Sequence, residues 1–340
     1  MRRRSLYFVD RGKVEVREEE LAPPGPGQVL VEARTSAVSA GTEMLFYHGL
    51  VPSGIKLDVN ISSLQGTFSY PFKYGYSSAG KVIAAGSAEG KGLIGRSVFC
   101  FHPHESHYIA SLDDILPIPE GISLEDAAML ASMETGLSLV MDGRPLPGED
   151  VVVLGQGVIG LLTTSVLAQM ALGSLLTVDA FPMRRGLSMQ MGATVAVDPS
   201  SPPEGLVRSH GLGEGKADLV FEISGNPVAL EYAIRAAGFE GRVVLASWYG
   251  TKAAVVHFGE DFHRNRIQLI ASQVSSIGPD LSGRWSKSRR LGFAWKMVRS
   301  IRPSRLVTHR VPFEDAASVY SLLESDPEKV GQILLTYGKG

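Results

Sequence analysis

A single cysteine, Cys100, serves the whole 340-residue chain. Internal disulfides are therefore excluded, as is any zinc cluster built on several cysteines. Cys100 itself reads as a small side chain buried at the end of a strand. An excess of either charge is missing too, since 33 Lys and Arg oppose 35 Asp and Glu for a formal net charge of −2. Nothing in that balance invites nucleic acid or an anionic membrane surface. No apolar run approaches the length of a membrane span. The N-terminal Met1-Arg-Arg-Arg-Ser-Leu-Tyr-Phe-Val carries positive charge but no signal-length apolar core before Asp10 and Arg11, which predicts a cytoplasmic protein. Internal repeats and low-complexity segments are absent as well.

What is present is ordinary for a soluble protein, 44% hydrophobic and 20% charged residues, at a length that suits two domains better than one core. Residues 1 to about 120 alternate short strand patterns with Pro/Gly punctuation. Lys13-Val-Glu-Val-Arg17, Gln28-Val-Leu-Val-Glu-Ala33, Lys81-Val-Ile-Ala-Ala85 and Arg96-Ser-Val-Phe-Cys100 are the clearest strands. Helical periodicity predicts a helix from Leu124 to Met141.

From residue 151 strands and helices alternate, the signature of a doubly wound parallel sheet. Six strands are expected: Val151–Leu154, Leu175–Val178, Thr194–Val197, Asp218–Glu222, Arg242–Ala246 and Gln268–Ala271. Helices are expected at Val158 to Leu172, Arg184 to Met191 and Pro227 to Ala237, the last two stopped by Gly192 and Gly238. Ser286 to Ile301 reads as a basic amphipathic helix with Arg289, Arg290, Lys296 and Arg299 on its polar side. The tail returns to strand and helix patterns, Arg305 to Pro312, Phe313 to Leu323 and Val330 to Tyr337. The expected division is 1–123 with 302–340 as one domain and 124–301 as the other.

The chemistry begins at Val151-Val-Val-Leu-Gly-Gln-Gly-Val-Ile-Gly160, an apolar strand that breaks into G-x-G-x-x-G and then a helix. Gly155 permits the tight turn, Gly157 lets the backbone approach a pyrophosphate, and Gly160 lets helix and strand pack closely. Val158 and Ile159 open the helix, whose free amides face the phosphates. Asp179 ends the next strand about 20 residues further on, as a ribose-binding acid should. Its carboxylate would accept both ribose hydroxyls and repel a 2′-phosphate, favouring NAD. Arg184 and Arg185 just downstream keep NADP open, because a guanidinium can bind that phosphate or cover the adenine.

This order of elements resembles the medium-chain dehydrogenase/reductase superfamily, the zinc-type alcohol dehydrogenase-like proteins. Ser39-Ala-Gly-Thr-Glu43, Tyr74-Gly-Tyr-Ser-Ser-Ala-Gly-Lys-Val82, Met133-Glu-Thr-Gly136, the glycine turn and Gly192-Ala193 carry the resemblance. Phe101-His-Pro-His104, Phe262-His-Arg-Asn-Arg266, Ser272-Gln-Val274 and Arg284-Trp285 look like the branch related to bacteriochlorophyllide dehydrogenase. The resemblance implies an α/β protein with a GroES-like β-rich catalytic domain and a Rossmann six-stranded sheet. It also implies an NAD(P)-dependent oxidoreductase. At the positions of the zinc ligands, however, stand Ala40, Tyr76 with Ser77, and Ala131, and alanine ligates nothing. A zinc-independent member is expected. His102-x-His104 with His107 is a rival metal set, but an extended chain would face His107 away from the other two.

Without a metal, a positioned acid must meet the charge that hydride transfer creates. By the resemblance Tyr76 is the leading candidate, with Thr42, Glu43 and Glu134 as secondary members of a proton relay. Tyr76 can equally wall the pocket, and Glu134 can cap a helix. The resemblance puts Thr135 near the nicotinamide, while Ser224-Gly225 and Ser247-Trp248 follow the fourth and fifth strands, where open α/β sheets bind ligands. Phe46, Tyr47, Trp248 and Tyr249 are aromatic candidates for an apolar pocket suited to a bulky organic substrate. Leu50 to Tyr70 would be its lid or a plain surface loop. An alcohol/carbonyl pair or an activated double bond is the expected substrate class. A silent nucleotide sensor or scaffold with the same fold is the alternative. Pairing through the sixth strand would make a homodimer or homotetramer.

Overall fold

The structure, a computed structural model, describes residues 1–211 and 215–338. The last two residues of the expected C-terminal return, 339 and 340, thus lie outside the described residues. Contacts divide the chain into Met1–Ala131 with Val298–Gly340, and Ser132–Met297. The boundaries fall at 132 and 298 rather than 124 and 302. The expected helix from Leu124 to Met141 is broken just before the first of them, into Leu124–Ala127 and Leu130–Gly143.

The first unit carries two sheets. Lys13–Glu20, Arg2–Asp10 and Phe72–Lys73 form an antiparallel three-stranded sheet in that order. The larger sheet runs Val307–Pro312, Gln332–Thr336, Gln28–Ala37, Ser78–Ala85, Ser97–Cys100, Leu116–Pro117, with His107–Ser111 added against Gln28–Ala37. Its one parallel pair, Val307–Pro312 with Gln332–Thr336, is bridged by the helix Ala316–Ser325, the crossover that parallel strands require. Between the sheets lies an aromatic core in which Tyr320 meets Phe8 edge-on at 5.2 Å and stacks on Tyr47 at 5.5 Å. Cys100 ends its strand buried, and burial pushes its thiol up to about 12.

One helix of this unit, Ala40–Tyr47, carries no clear periodic signal, being only eight residues long. Its end is nonetheless sharply defined. The Leu50 N–H donates to Leu45 O and the Gly49 N–H to Phe46 O, with Gly49 at φ +63°, a Schellman motif.

The second unit holds a six-stranded sheet built from β1 (Asp150–Leu154), β2 (Ser174–Val178), β3 (Val195–Val197), β4 (Ala217–Glu222), β5 (Ala237–Leu245) and β6 (Gln268–Ala271), all parallel to their neighbours. Their order is β3-β2-β1-β4-β5-β6, that of a dinucleotide-binding fold with its switch point between β1 and β4. Val151, Val152 and Val153 are wholly buried, as strands covered on both faces must be. The helix after β1 stops at Leu167 rather than Leu172, and β5 begins at Ala237, five residues ahead of the expected Arg242. A further correction concerns Lys287–Ile301, where Arg290 is 2% exposed and belongs to the interior rather than to the polar side. No helix among the described residues is long and apolar enough to cross a membrane.

Where the two sheets of the first unit adjoin, Glu105, 1% exposed, accepts Arg3 Nη1 at 2.9 Å, Lys73 Nζ at 2.6 Å and Ser5 Oγ at 3.0 Å. Glu19 shares the same donors and also accepts the Tyr7 hydroxyl. Burial alone would raise the Glu19 carboxyl. Hydrogen bonds from Tyr7 and Ser5, with the Lys73 and Arg3 charges, outweigh it and hold the group at about 2. Its folded pKa lies below the unfolded one, so its stabilisation is present above about pH 4.5 and fades as pH falls towards 2. Acid denaturation followed by tryptophan-independent far-UV CD should show a loss in that window that Glu19→Gln flattens.

Candidate active site

In the second unit the glycine turn follows β1. Gly155 sits at φ +90°, and a Cβ there would stand 2.5 Å from Ser224 Cα at the end of β4. At Gly160 a Cβ would come within 1.9 Å of Gly155 O. Both glycines are therefore demanded by packing. Gly157 differs, since a Cβ there would meet nothing within 4 Å. It caps the helix Val158–Leu167, whose first-turn amides, those of Val158 and Ile159 among them, have no partner within the helix. Asp179 is buried against this turn, with Oδ2 accepting the Gln156 N–H at 2.7 Å and Oδ1 the Phe181 N–H at 2.8 Å. Each oxygen keeps a lone pair for a ribose hydroxyl. Arg185 is committed to Asp179 O, Ala180 O and Asp198, whereas Arg184 lies 4.8 Å from the Phe181 ring centroid.

Beyond the carboxyl ends of β4 and β5 a second polar group assembles around Glu222, which is fully buried. Its oxygens accept the Ser224 N–H at 2.8 Å, the Ser224 hydroxyl and the Tyr249 hydroxyl at 2.7 Å. Ser247 Oγ accepts the Gly225 N–H at 2.8 Å. Burial and the Glu222 carboxylate push the Tyr249 phenol up. Glu222 was not among the sequence candidates; the available signal was a charge closing the apolar run Asp218-Leu-Val-Phe-Glu222. Trp248 is 41% exposed beside it. Together the glycine turn, Asp179 and these strand ends form a cradle that fits a dinucleotide.

Glu134 and Thr135 also lie in the second unit. The Glu134 carboxylate accepts Arg290 Nε and Nη2, each at 3.1 Å, and Arg290 also reaches Ser138 Oγ and the carbonyls of Val274 and Ser276. Burial raises the Glu134 carboxyl, and the Arg290 charge opposes the shift. Glu134 is thus tied to the helix Lys287–Ile301.

In the first unit, Tyr76 is half-buried and its hydroxyl bonds Ser39 Oγ, with Thr42 as a further hydrogen-bonding neighbour. Burial raises the phenol, Ser39 and Thr42 oppose it, and Glu43 adds to the rise, so the group is a neutral O–H at neutral pH. Glu43 is wholly buried rather than facing a substrate. Phe46 and Tyr47 are core side chains, 0% and 7% exposed, which corrects their expected place in a pocket lining. The Leu50 to Tyr70 segment is anchored by buried Val51 and Leu64 and by Ser63 Oγ donating to Phe101 O at 2.8 Å.

The three histidines diverge. His102 stacks on Tyr108 at 3.9 Å, and burial pushes it down to about 4 despite Glu105. His104 bonds Ser36 Oγ and Glu43, and His107 bonds Ser106 Oγ. At the zinc-ligand positions of the superfamily, Ala40, Tyr76, Ser77 and Ala131 do not fit a zinc ion, because two are methyl groups and two are hydroxyls. Among the described residues no group of three or more His, Cys, Asp or Glu is placed to hold a metal.

Residues 158–291 match the zinc-binding dehydrogenase family. By sequence the chain is similar to D-guloside 3-dehydrogenase of Escherichia coli, 23% identical over 91% of this chain and 93% of that one. It is 26% identical to L-threonine 3-dehydrogenase of Symbiobacterium thermophilum, over 98% and 97% of the two chains. Among solved structures, an alcohol dehydrogenase from Escherichia coli in complex with NADH superposes with a TM-score of 0.79 at 19% identity, covering 99% of each chain. A zinc-binding dehydrogenase from Sinorhizobium meliloti bound to NADP gives 0.80 at 21% identity, again covering 99% of each.

Because Gly157 has room for a side chain, Gly157→Val should leave thermal stability within about 0.5 kcal/mol. It should weaken NADH binding by about tenfold or more, since the added methyls would take the space a pyrophosphate needs. Calorimetric melting and fluorescence titration measure the two separately.

Proposed function

We propose that this chain, whose fold and relatives support a place in the zinc-type alcohol dehydrogenase-like superfamily, is a zinc-independent NAD(P)-dependent oxidoreductase. In this reading the Tyr76 phenol does the work that a metal does in zinc-dependent members. The observation that carries it is the Tyr76 phenol, kept neutral by burial and hydrogen-bonded to Ser39 with Thr42 as a further neighbour, at a position where the resemblance expects a zinc ligand.

When bound, the nicotinamide would supply or accept the hydride. The chain's own residues handle the proton. In reduction the substrate oxygen gains negative charge as its carbon gains hydride, and Tyr76 Oη gives that oxygen its proton while Ser39 and Thr42 steady the phenolate left behind. Solvent then restores the Tyr76 proton, so one carbonyl, one reduced cofactor and one proton become one alcohol and one oxidised cofactor. Reduction needs the protonated phenol, the form that burial favours at Tyr76.

NAD is favoured over NADP, on the strength of the buried Asp179 carboxylate beside the glycine turn. An alcohol/carbonyl pair is the preferred substrate class, in line with relatives named for D-guloside and L-threonine. An activated double bond is the remaining choice. A bulky substrate rests on exposed Trp248 and on the likeness to the bacteriochlorophyllide dehydrogenase-related branch. Association into a homodimer or homotetramer and a cytoplasmic location belong to the same reading. The outer strand β6, with Leu269 37% exposed, supports the first.

Titrating NADH and NADPH against intrinsic Trp fluorescence should show saturable binding, tighter for NADH; no binding of either would sink the proposal. With NADH and a panel of benzaldehyde, cyclohexanone and menadione, Tyr76→Phe should lower kcat by about 10²–10⁴ while the NADH Kd holds. Elemental analysis of the purified protein should find no stoichiometric zinc, and one zinc per chain would refute the ligand argument.

A further inference from the structure

A second set of polar side chains joins the Tyr76 constellation, and all of its members are buried. Glu43, His104, Tyr320 and Ser36 are each 0% exposed and Tyr337 is 6% exposed. Glu43 Oε1 accepts the Ser39 N–H at 2.7 Å and stands 3.2 Å from His104 Nε2, while Oε2 accepts the Tyr320 hydroxyl at 2.6 Å. On the far side of the imidazole, His104 Nδ1 is 2.7 Å from Ser36 Oγ, which is 2.7 Å from the Tyr337 hydroxyl. A carboxylate and an imidazole taken wholly out of water survive only when their polar atoms are met in this way. Burial alone would raise the Glu43 carboxyl, but the His104 charge and the hydrogen bonds from His104, Tyr320 and Ser39 hold it below the ordinary range.

This set touches the Tyr76 segment from two directions. Through Ser39 it fixes the residue whose hydroxyl bonds the phenol. Through His104 it fixes the backbone leading to Tyr76, since the His104 N–H donates to Tyr74 O at 3.1 Å. Gly75, at φ +103°, leaves the space the imidazole fills, where a Cβ would come within 2.5 Å of His104 Cδ2. A core pair meant only for stability would have no need to hold both neighbours of one phenol.

We infer that Glu43 and His104 are positioning residues, a buried hydrogen-bonded pair that sets the Tyr76 phenol by clamping Ser39 on one side and Tyr74-Gly75 on the other. The inference rests on the proposed role of Tyr76. Neither side chain meets the substrate, and neither moves a proton to it. Their effect on turnover therefore passes wholly through Tyr76 and Ser39.

A double-mutant cycle on the full chain tests it, with NADH and whichever of benzaldehyde, cyclohexanone and menadione the wild type reduces fastest. Glu43→Gln keeps the shape and removes the charge. It should lower kcat by about tenfold in the wild type and by less than about twofold in the Tyr76→Phe background, with the NADH Kd unchanged in both. Ser39→Ala, a half-buried site that puts little of the fold at risk, should show the same dependence on Tyr76. His104→Gln should follow Glu43→Gln. Equal losses in the two backgrounds, or no loss in the wild type, would overturn the inference while leaving the proposed reaction standing. Wild-type turnover by Tyr76→Phe would instead overturn the donor role of Tyr76 and the inference with it, and no turnover of any panel member would overturn the reaction itself.

Discussion

A carboxylate removed from water must be met by donors fixed in place, and that requirement organises both units. Glu43, Glu105 and Glu222 are at most 1% exposed, and Asp179 and Glu134 are each 8% exposed. Every one of them is answered by named groups: His104 and Tyr320 for Glu43, Arg3 and Lys73 for Glu105, Ser224 and Tyr249 for Glu222, two backbone amides for Asp179, and Arg290 for Glu134. Because a buried charge left unpaired is so costly, each acid dictates the conformation of the segments that answer it. Charge here acts as a fastener for backbone.

Three of these acids fasten segments that bear on the proposed chemistry. Asp179 holds the glycine turn by the Gln156 amide, and Glu222 holds the turn that carries Ser224 and Gly225. Glu43 holds the helix start at Ser39. The glycines serve the same end by subtraction. Gly155 and Gly160 let backbone approach backbone, and Gly75 gives up its side chain to an imidazole. Of those described, only Gly157 faces room that the protein leaves unfilled in the turn, which is what a ligand-facing position should look like.

The division of labour between the units follows. One unit offers a cradle for a nucleotide, built from the carboxyl ends of parallel strands, where helix amides and loop hydroxyls converge. The other offers a phenol whose proton is retained by burial and whose orientation is set by neighbouring hydroxyls. Ala40 and Ala131 carry only methyl groups, which ligate no metal. The hydroxyl array of Ser39, Thr42 and Tyr76 occupies the corresponding stretch of sequence.

Sequence by itself determined the parallel sheet, its six strands, the glycine turn and Asp179, because strand burial and turn stereochemistry are local and leave a periodic or positional mark. Residue identity also puts methyl groups at Ala40 and Ala131, where the resemblance expects zinc ligands. Sequence could not tell that Arg290 lies inside while Arg289 lies outside, since adjacent basic residues on one helix look alike until a partner such as Glu134 is known. Nor could it separate Phe46 and Tyr47 as core from aromatics that line a pocket, because both uses require the same side chains. Tertiary structure alone decided that His104, far from Glu43 in sequence, stands against it and against Gly75. Pairing across that separation depends on how two distant segments pack, and no local pattern records it.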